Sequence, residues 1–176
     1  MSFSIDGKTV IITGAANGIG AALARHFAEN GANVMCADID EKALKKDLGE
    51  SADDSNVRYF AGDLREKLTL ANLLSATVDA FDRVDVLVNA SRQMATTDPL
   101  DMDDETVEKL LQQNLMTSLR LSQMVAKRMI KQDEEQDHEF AGTIINLSSI
   151  AARLTQPKLL AYSVSTAALE QMTRSM

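Results

Sequence analysis

The sequence predicts an α/β protein in three layers, a doubly wound parallel sheet of strand order 3-2-1-4-5 between two layers of helices. Three observations carry this. Short apolar runs alternate with stretches of helical spacing along the whole chain, which is the mark of repeated β–α units. The run at residues 84–88 is apolar almost throughout, as suits a strand covered on both faces. The first apolar run, Val10-Ile11-Ile12, leads directly into a glycine-rich stretch, Thr13 to Gly20, where a helical pattern begins.

The elements follow in order. Residues 8–13 read as the first strand and residues 18–30 as a helix, with Gly31 at its C-terminal cap. Ile19, Leu23 and Phe27 form the buried stripe of that helix. Residues 33–37 are the second strand, 41–48 a short helix and 56–60 the third strand. Residues 68–81 are helical, with Leu70, Leu73, Leu74 and Val78 at helical spacing. After the fourth strand, residues 105–131 read as one long helix, 143–147 as the fifth strand and 161 onward as a last helix. The acidic run 132–139 reads as a solvated loop with His138 exposed in it. His26 reads as a boundary residue of the first helix.

The bulk properties narrow the function. A chain of 176 residues supports one sizeable core, so one domain over 1–176 is expected. A net charge of −8 argues against a nucleic-acid surface. One cysteine, Cys36, and two histidines argue against an internal disulfide or a zinc site, so no metal is expected. Cys36 falls in a predicted strand and reads as a buried thiol. The first residues lack the basic and apolar regions of a signal peptide. No apolar run approaches the roughly 20 residues of a membrane span. A cytoplasmic location is the default expectation.

The glycine-rich stretch is the strongest functional signal. A strand, a glycine turn and a helix start let backbone approach a diphosphate and aim free N–H groups and a helix dipole at its charge. Its spacing is G-x-x-x-G-x-G, with Gly14, Asn17, Gly18, Ile19 and Gly20 as candidate contacts. No Lys-Ser/Thr pair closes the turn, which argues against a triphosphate loop. Asp38 ends the second strand, eighteen residues after Gly20, about where an acid reaches the adenosine ribose hydroxyls. Its carboxylate would accept from both hydroxyls and repel a 2′-phosphate. No Arg or Lys stands in the turn or directly after Asp38. NAD is therefore favoured over NADP, with Ile39 beside the ribose. Gly62-Asp63-Leu64 and Asn89-Ala90-Ser91 follow the third and fourth strands, at the ends where such a cofactor lies.

With Gly7-Lys8, Asn114, Asn146-Leu147-Ser148-Ser149, Pro157 and Tyr162 added, the chain resembles the short-chain dehydrogenase/reductase family over nearly its whole length. The resemblance implies a Rossmann-type fold, NAD(P) binding and reversible hydride transfer between a carbonyl and an alcohol. It implies that Tyr162 is the general acid/base, that Ser149 holds the carbonyl oxygen, and that Asn114 helps fix a proton-relay water. It also implies that Asp63 bonds the adenine and Leu64 stacks beside it. Asn114 additionally shares a helical stripe with Val107, Leu110, Leu111 and Leu121, so its buried amide must find partners.

The chain departs from the family pattern at several positions. The family motif is Tyr-x-x-x-Lys, and here Thr166 stands where the lysine belongs. That lysine lowers the tyrosine's pKa and bonds the nicotinamide ribose. Thr166 keeps at most a weak ribose contact and adds no charge. An unassisted tyrosine titrates near ~10, so three units, roughly 4 kcal/mol, separate it from neutral pH. The loss falls hardest on alcohol oxidation, which needs the tyrosinate. Lys158, four residues before Tyr162, is a weak candidate substitute. A family glycine after the fourth strand is also missing around Ser91-Arg92, and Ala152 replaces another.

Two readings of function follow. One is an NAD-dependent oxidoreductase acting on a small alcohol or carbonyl compound. The other is a catalytically impaired NAD-binding module or assembly subunit. A hydrolase built on Ser149 is disfavoured, because no G-x-S-x-G elbow is present. Residues 91–99 and 151–159 are expected at the pocket mouth. The long helix carries Leu115, Leu119, Met124 and Met129 outside its core stripe, and the last helix carries Ala167, Ala168, Leu169 and Met172. Such faces need cover, and the resemblance implies a homodimer or homotetramer built on them. The last helical pattern runs to Met176, so the family's C-terminal part is expected to be missing and the fifth strand to be an apolar edge.

Overall fold

The computed structural model describes residues 4–48, 55–134, 140–154 and 156–176. Five parallel strands, β1 (Thr9–Thr13), β2 (Asn33–Asp38), β3 (Val57–Ala61), β4 (Val86–Asn89) and β5 (Thr143–Asn146), form one sheet of order β3-β2-β1-β4-β5. The helices are α1 (Gly18–Glu29), α2 (Glu41–Leu48), α3 (Lys67–Phe81), α4 (Thr106–Leu110), α5 (Thr117–Glu134) and α6 (Leu160–Ser175). The order reverses at β1, which pairs with β2 on one side and β4 on the other. The expected fold class and strand order are found.

Period-two alternation sorts the strand residues into two cores. Val10, Ile12, Val34, Cys36, Val86 and Val88 face one side, where Ala24 of α1 and Leu44 of α2 cover them. Ile11, Met35 and Leu87 face the other, against Leu70 and Leu73 of α3 and Leu121, Val125 and Met129 of α5. Two buried faces explain why the central strands read as unbroken apolar runs. β5 is the edge strand of the described sheet, with Ile145 42% exposed.

The structure corrects four expectations. Residues 105–131 are not one regular helix, because a π-helical segment, Leu111–Met116, separates α4 from α5. The Thr117 hydroxyl donates to the Gln112 carbonyl and the Ser118 hydroxyl to the Asn114 carbonyl, which satisfies carbonyls loosened by the wider turn. The buried residues of α1 are Gly20, Ala21 and Ala24, whereas Leu23 and Phe27 are half-buried and Ile19 is 53% exposed. Small residues face the sheet there because the helix start sits close against β1. Met129 lies in the core and not on an outer face.

The fourth correction concerns the acidic run, whose first residues, 132–134, continue α5. The Gln132 amide accepts from the Val84 N–H at 3.0 Å and donates to the Val84 carbonyl at 2.9 Å. It closes the backbone ahead of β4 as a strand partner would. His138 lies outside the described residues. His26 is exposed, its ring edge-on to Phe27. Among the described residues no helix is long and apolar enough to cross a membrane.

Candidate active site

The carboxyl ends of four strands open into one cleft of about 580 Å³. The turn after β1 contributes Gly14, Asn17, Ile19 and Gly20, and the end of β2 contributes Asp38 and Ile39. Gly62, Asp63, Leu64 and Arg65 follow β3, and Ala90, Ser91, Arg92 and Gln93 follow β4. Gln113 reaches in from the π-helical segment. The cleft therefore lies where strand order reverses, the ligand position expected of a doubly wound sheet.

The glycines of the turn are there for space. A Cβ on Gly20 would stand 2.0 Å from the Gly14 carbonyl oxygen, and one on Gly14 would stand 2.8 Å from the Ser91 backbone. Gly14 also has φ +68°, a region that disfavours side chains. The turn thus packs against both its own helix and the loop after β4. Asn17 precedes α1 without a side-chain cap, and the first turn of α1 holds no acid. The start of α1 borders the cleft, and free leading N–H groups and a helix dipole there are suited to an anion. Gly18 belongs to that same helix start.

Asp38 is fixed by backbone. Its Oδ2 accepts from Ala16 N and its Oδ1 from Asp40 N, both at 3.1 Å. Each carboxylate oxygen keeps lone pairs for the cleft, which suits a ribose diol. Asp63 is engaged differently. Arg65 donates from Nε and Nη2 to both of its oxygens, and this guanidinium holds the Asp63 carboxyl below the ordinary carboxylate range. Leu64 is buried in the core beneath the cleft. The Asn89 side chain turns inward, donating to Ser122 Oγ and Asn146 Oδ1, and so braces β4 against β5 and α5.

Tyr162, Ser149 and Asn114 are not among the residues lining this cleft; Ser149 follows β5, Tyr162 is on α6 and Asn114 is in the π-helical segment. Tyr162 is 7% exposed and packs with Leu110, Ala151 and Ala161. Ser149 caps the short 3-10 turn Ile150–Ala152, accepting from Ala151 N at 3.2 Å. That turn sets Ala151 in the same apolar cluster as the Tyr162 ring. Asn114 joins the two halves of the site. Its amide accepts from Gln93 N, donates to Gln93 O and donates to Ser165 Oγ on α6. It clamps the loop after β4 to the helix that carries Tyr162.

Thr166 is 1% exposed, and its hydroxyl donates to the Tyr162 and Ser163 carbonyls. It is committed to its own helix and does not line the cleft. Lys158 is exposed with φ +62°, and its carbonyl accepts from Thr97 N. Cys36 is buried, and burial pushes its thiol up to about 12. Among the described residues no cluster of three or more His, Cys, Asp or Glu side chains is arranged to hold a metal.

Arg92 and Gln93 fall in the segment 91–99 expected at the pocket mouth, whereas the sequence did not mark the cleft positions of Arg65 and Gln113. Arg65 follows the end of β3, which is a usable signal. Gln113 faces the cleft from the π-helical segment, which periodicity does not reveal.

Fold and cleft define a doubly wound α/β domain of Rossmann type. The short chain dehydrogenase family profile matches residues 8–176, and the chain belongs to that family. It is similar to an uncharacterized oxidoreductase of Thermotoga maritima, with 32% identity over 98% of this chain and 65% of the relative. It is also similar to an NAD-dependent glycerol dehydrogenase of Listeria innocua, with 29% identity over 98% of this chain and 64% of the relative. Among solved structures, a short chain dehydrogenase from Mycobacterium smegmatis superposes with a TM-score of 0.86 at 27% identity, covering 98% of this chain and 69% of that one. The chain spans slightly less than two thirds of the length of these two curated relatives. Family membership implies a nicotinamide cofactor.

Proposed function

We propose that the chain catalyses reversible hydride transfer between NAD(H) and a small alcohol or ketone, as a single dinucleotide-binding domain acting in the cytoplasm. The observation that carries this reading is the cleft itself. A glycine turn with no room for Cβ atoms, a helix start without acid and an anchored Asp38 line up along the strand ends. Together they suit a diphosphate flanked by a sugar diol. NAD rather than NADP is favoured because the Asp38 carboxylate would repel a 2′-phosphate. The name of the Listeria relative agrees with NAD.

The nicotinamide, when bound, supplies or accepts the hydride. The chain's own residues handle the oxygen and the proton. Ser149 donates a hydrogen bond to the substrate oxygen and orients it. In reduction, the Tyr162 phenol gives its proton to that oxygen; in oxidation, the tyrosinate takes the proton from the alcohol. Asn114 holds the loop after β4 and α6 in register, so that cofactor and tyrosine meet. Thr166 places no positive charge beside the phenol, so reduction, which needs the phenol and not the tyrosinate, is the direction least impaired. Exposed Val164 and Ala167 on α6, and half-buried Leu115 and Leu119 on the preceding helical segments, leave apolar surface that supports a homodimer or homotetramer.

The test is NADH oxidation over a panel of small ketones and aldehydes, with wild type, Tyr162→Phe and Thr166→Lys. Wild type turns over, Tyr162→Phe loses about 100-fold or more, and Thr166→Lys raises alcohol oxidation more than reduction. Turnover appearing only in Thr166→Lys would contradict the enzyme reading and leave a binding module.

A further inference from the structure

Two cationic side chains line the cleft, Arg65 and Arg92. Arg65 is spent on Asp63. Arg92 has no carboxylate partner among the described residues. Its one hydrogen bond there runs from Nη1 to the Ser148 carbonyl, immediately before Ser149. Most of its five donors are unspent.

The backbone at Arg92 is held on both sides. Ser91 N donates to Thr13 Oγ1 at 3.1 Å, and Gln93 N and O are bonded to the Asn114 amide at 2.8 and 2.9 Å. The half-buried side chain is thereby aimed from the end of β4 toward the end of β5. Asp38 stands on the far side of the glycine turn, at the end of β2. Along the sheet the sequence of groups is carboxylate, glycine turn, guanidinium. From β2 to β5 is three strand spacings, roughly 14 Å. A dinucleotide carries sugar, diphosphate and sugar in that same order. With one diol at Asp38 and the diphosphate on the turn, the remaining half falls on the side of Arg92. Beyond its bond to the Ser148 carbonyl, the guanidinium has no carboxylate partner among the described residues of a chain of net charge −8, and planar oxygen-rich groups are what it binds best.

We propose that Arg92 is a cofactor-binding residue whose guanidinium holds oxygen atoms of the nicotinamide-bearing half of the dinucleotide, supplying the cation that position 166 lacks. This rests on the dinucleotide reading above. It also explains why a bulky residue stands in a loop that otherwise runs close to the glycine turn.

The test is calorimetric titration of NADH and of AMP into wild type, Arg92→Gln and Arg92→Lys. AMP probes the Asp38 end alone. Arg92→Gln should weaken NADH about tenfold, the loss of one charge-assisted hydrogen bond, and leave AMP within about twofold of wild type. Arg92→Lys should recover part of the NADH affinity. NADH binding unchanged or tighter in Arg92→Gln overturns the proposal while leaving the dinucleotide reading intact. Equal losses of NADH and AMP also overturn it, because Arg92 would then not act on one half. Wild type that binds neither NADH nor AMP defeats the dinucleotide reading itself, and this inference with it.

Discussion

Replacing Gly20 by alanine sets two effects of opposite sign against each other. Gly20 lies in the first turn of α1, and helix propensity alone favours alanine there by up to about 1 kcal/mol. The structure opposes it. The new methyl carbon would stand 2.0 Å from the Gly14 carbonyl oxygen and 2.7 Å from the Gly14 carbonyl carbon. Contacts below about 3 Å are not tolerated, so the turn and helix must separate by roughly 1 Å. Both atoms are backbone, and Gly14 is itself pressed against Ser91, so the strain has no flexible outlet. Overpacking of this kind costs about 3 kcal/mol or more, leaving a net loss of about 2 kcal/mol after the propensity gain. For a chain of this size that lowers Tm by about 4–8 °C. The same displacement spoils the diphosphate cradle, and NADH affinity should fall at least about tenfold. Thermal melts and NADH fluorescence read both effects, the latter cleanly because the chain has no tryptophan. A Gly20→Ala protein with raised Tm and wild-type NADH affinity would refute the close-packed turn.

Other expectations follow from the same contacts. Asp85→Ala strips the buried Thr9 N–H of its acceptor and Arg83 of its partner; a loss of about 3 kcal/mol, or roughly 6–12 °C in Tm, is expected, and an unchanged melt would contradict it. Cys36 should resist an aromatic disulfide reagent at pH 8 in the folded protein and react fully in urea, since burial holds its thiol up near 12; rapid native labelling would contradict its place in the core. Arg153 and the Ser148 hydroxyl hold the Glu170 carboxyl below its ordinary value. A lowered folded pKa stabilises the protein above the unfolded pKa and is lost as pH falls through the folded one. Glu170→Gln should therefore melt below wild type at pH 7, with the gap closing below about pH 4. A gap independent of pH would sink that assignment.

The topology was legible because it rests on local signals. Apolar runs such as Val10-Ile11-Ile12 and Val86-Leu87-Val88 mark strands buried on both faces, and Gly14 to Gly20 punctuates the first crossover. The cleft residues at strand ends share that legibility, since the carboxyl end of each strand is fixed once the strand is. What was not legible depends on partners distant in sequence. The π-helical segment holds Asn114, whose amide reaches both Gln93 and Ser165, long-range partners that periodicity does not contain. Gln132 reads as one more polar residue in an acidic run until Val84 is seen beside it. Ile19 fits an apolar stripe by spacing, yet the first turn of α1 opens onto the cleft. Thr166 was legible as a missing charge, and only the structure shows its hydroxyl folded back onto Tyr162. Arg92 stood out as a missing glycine, and its reach to Ser148 appears only with β4 and β5 side by side.

The most direct measurement is calorimetric titration of NADH and NADPH into the purified, correctly assembled protein. Backbone amides of the first turn and the carboxylate of Asp38 predict one NADH bound per chain, at least about tenfold tighter than NADPH. Absence of heat with either cofactor, or tighter binding of NADPH, would contradict the account at its root.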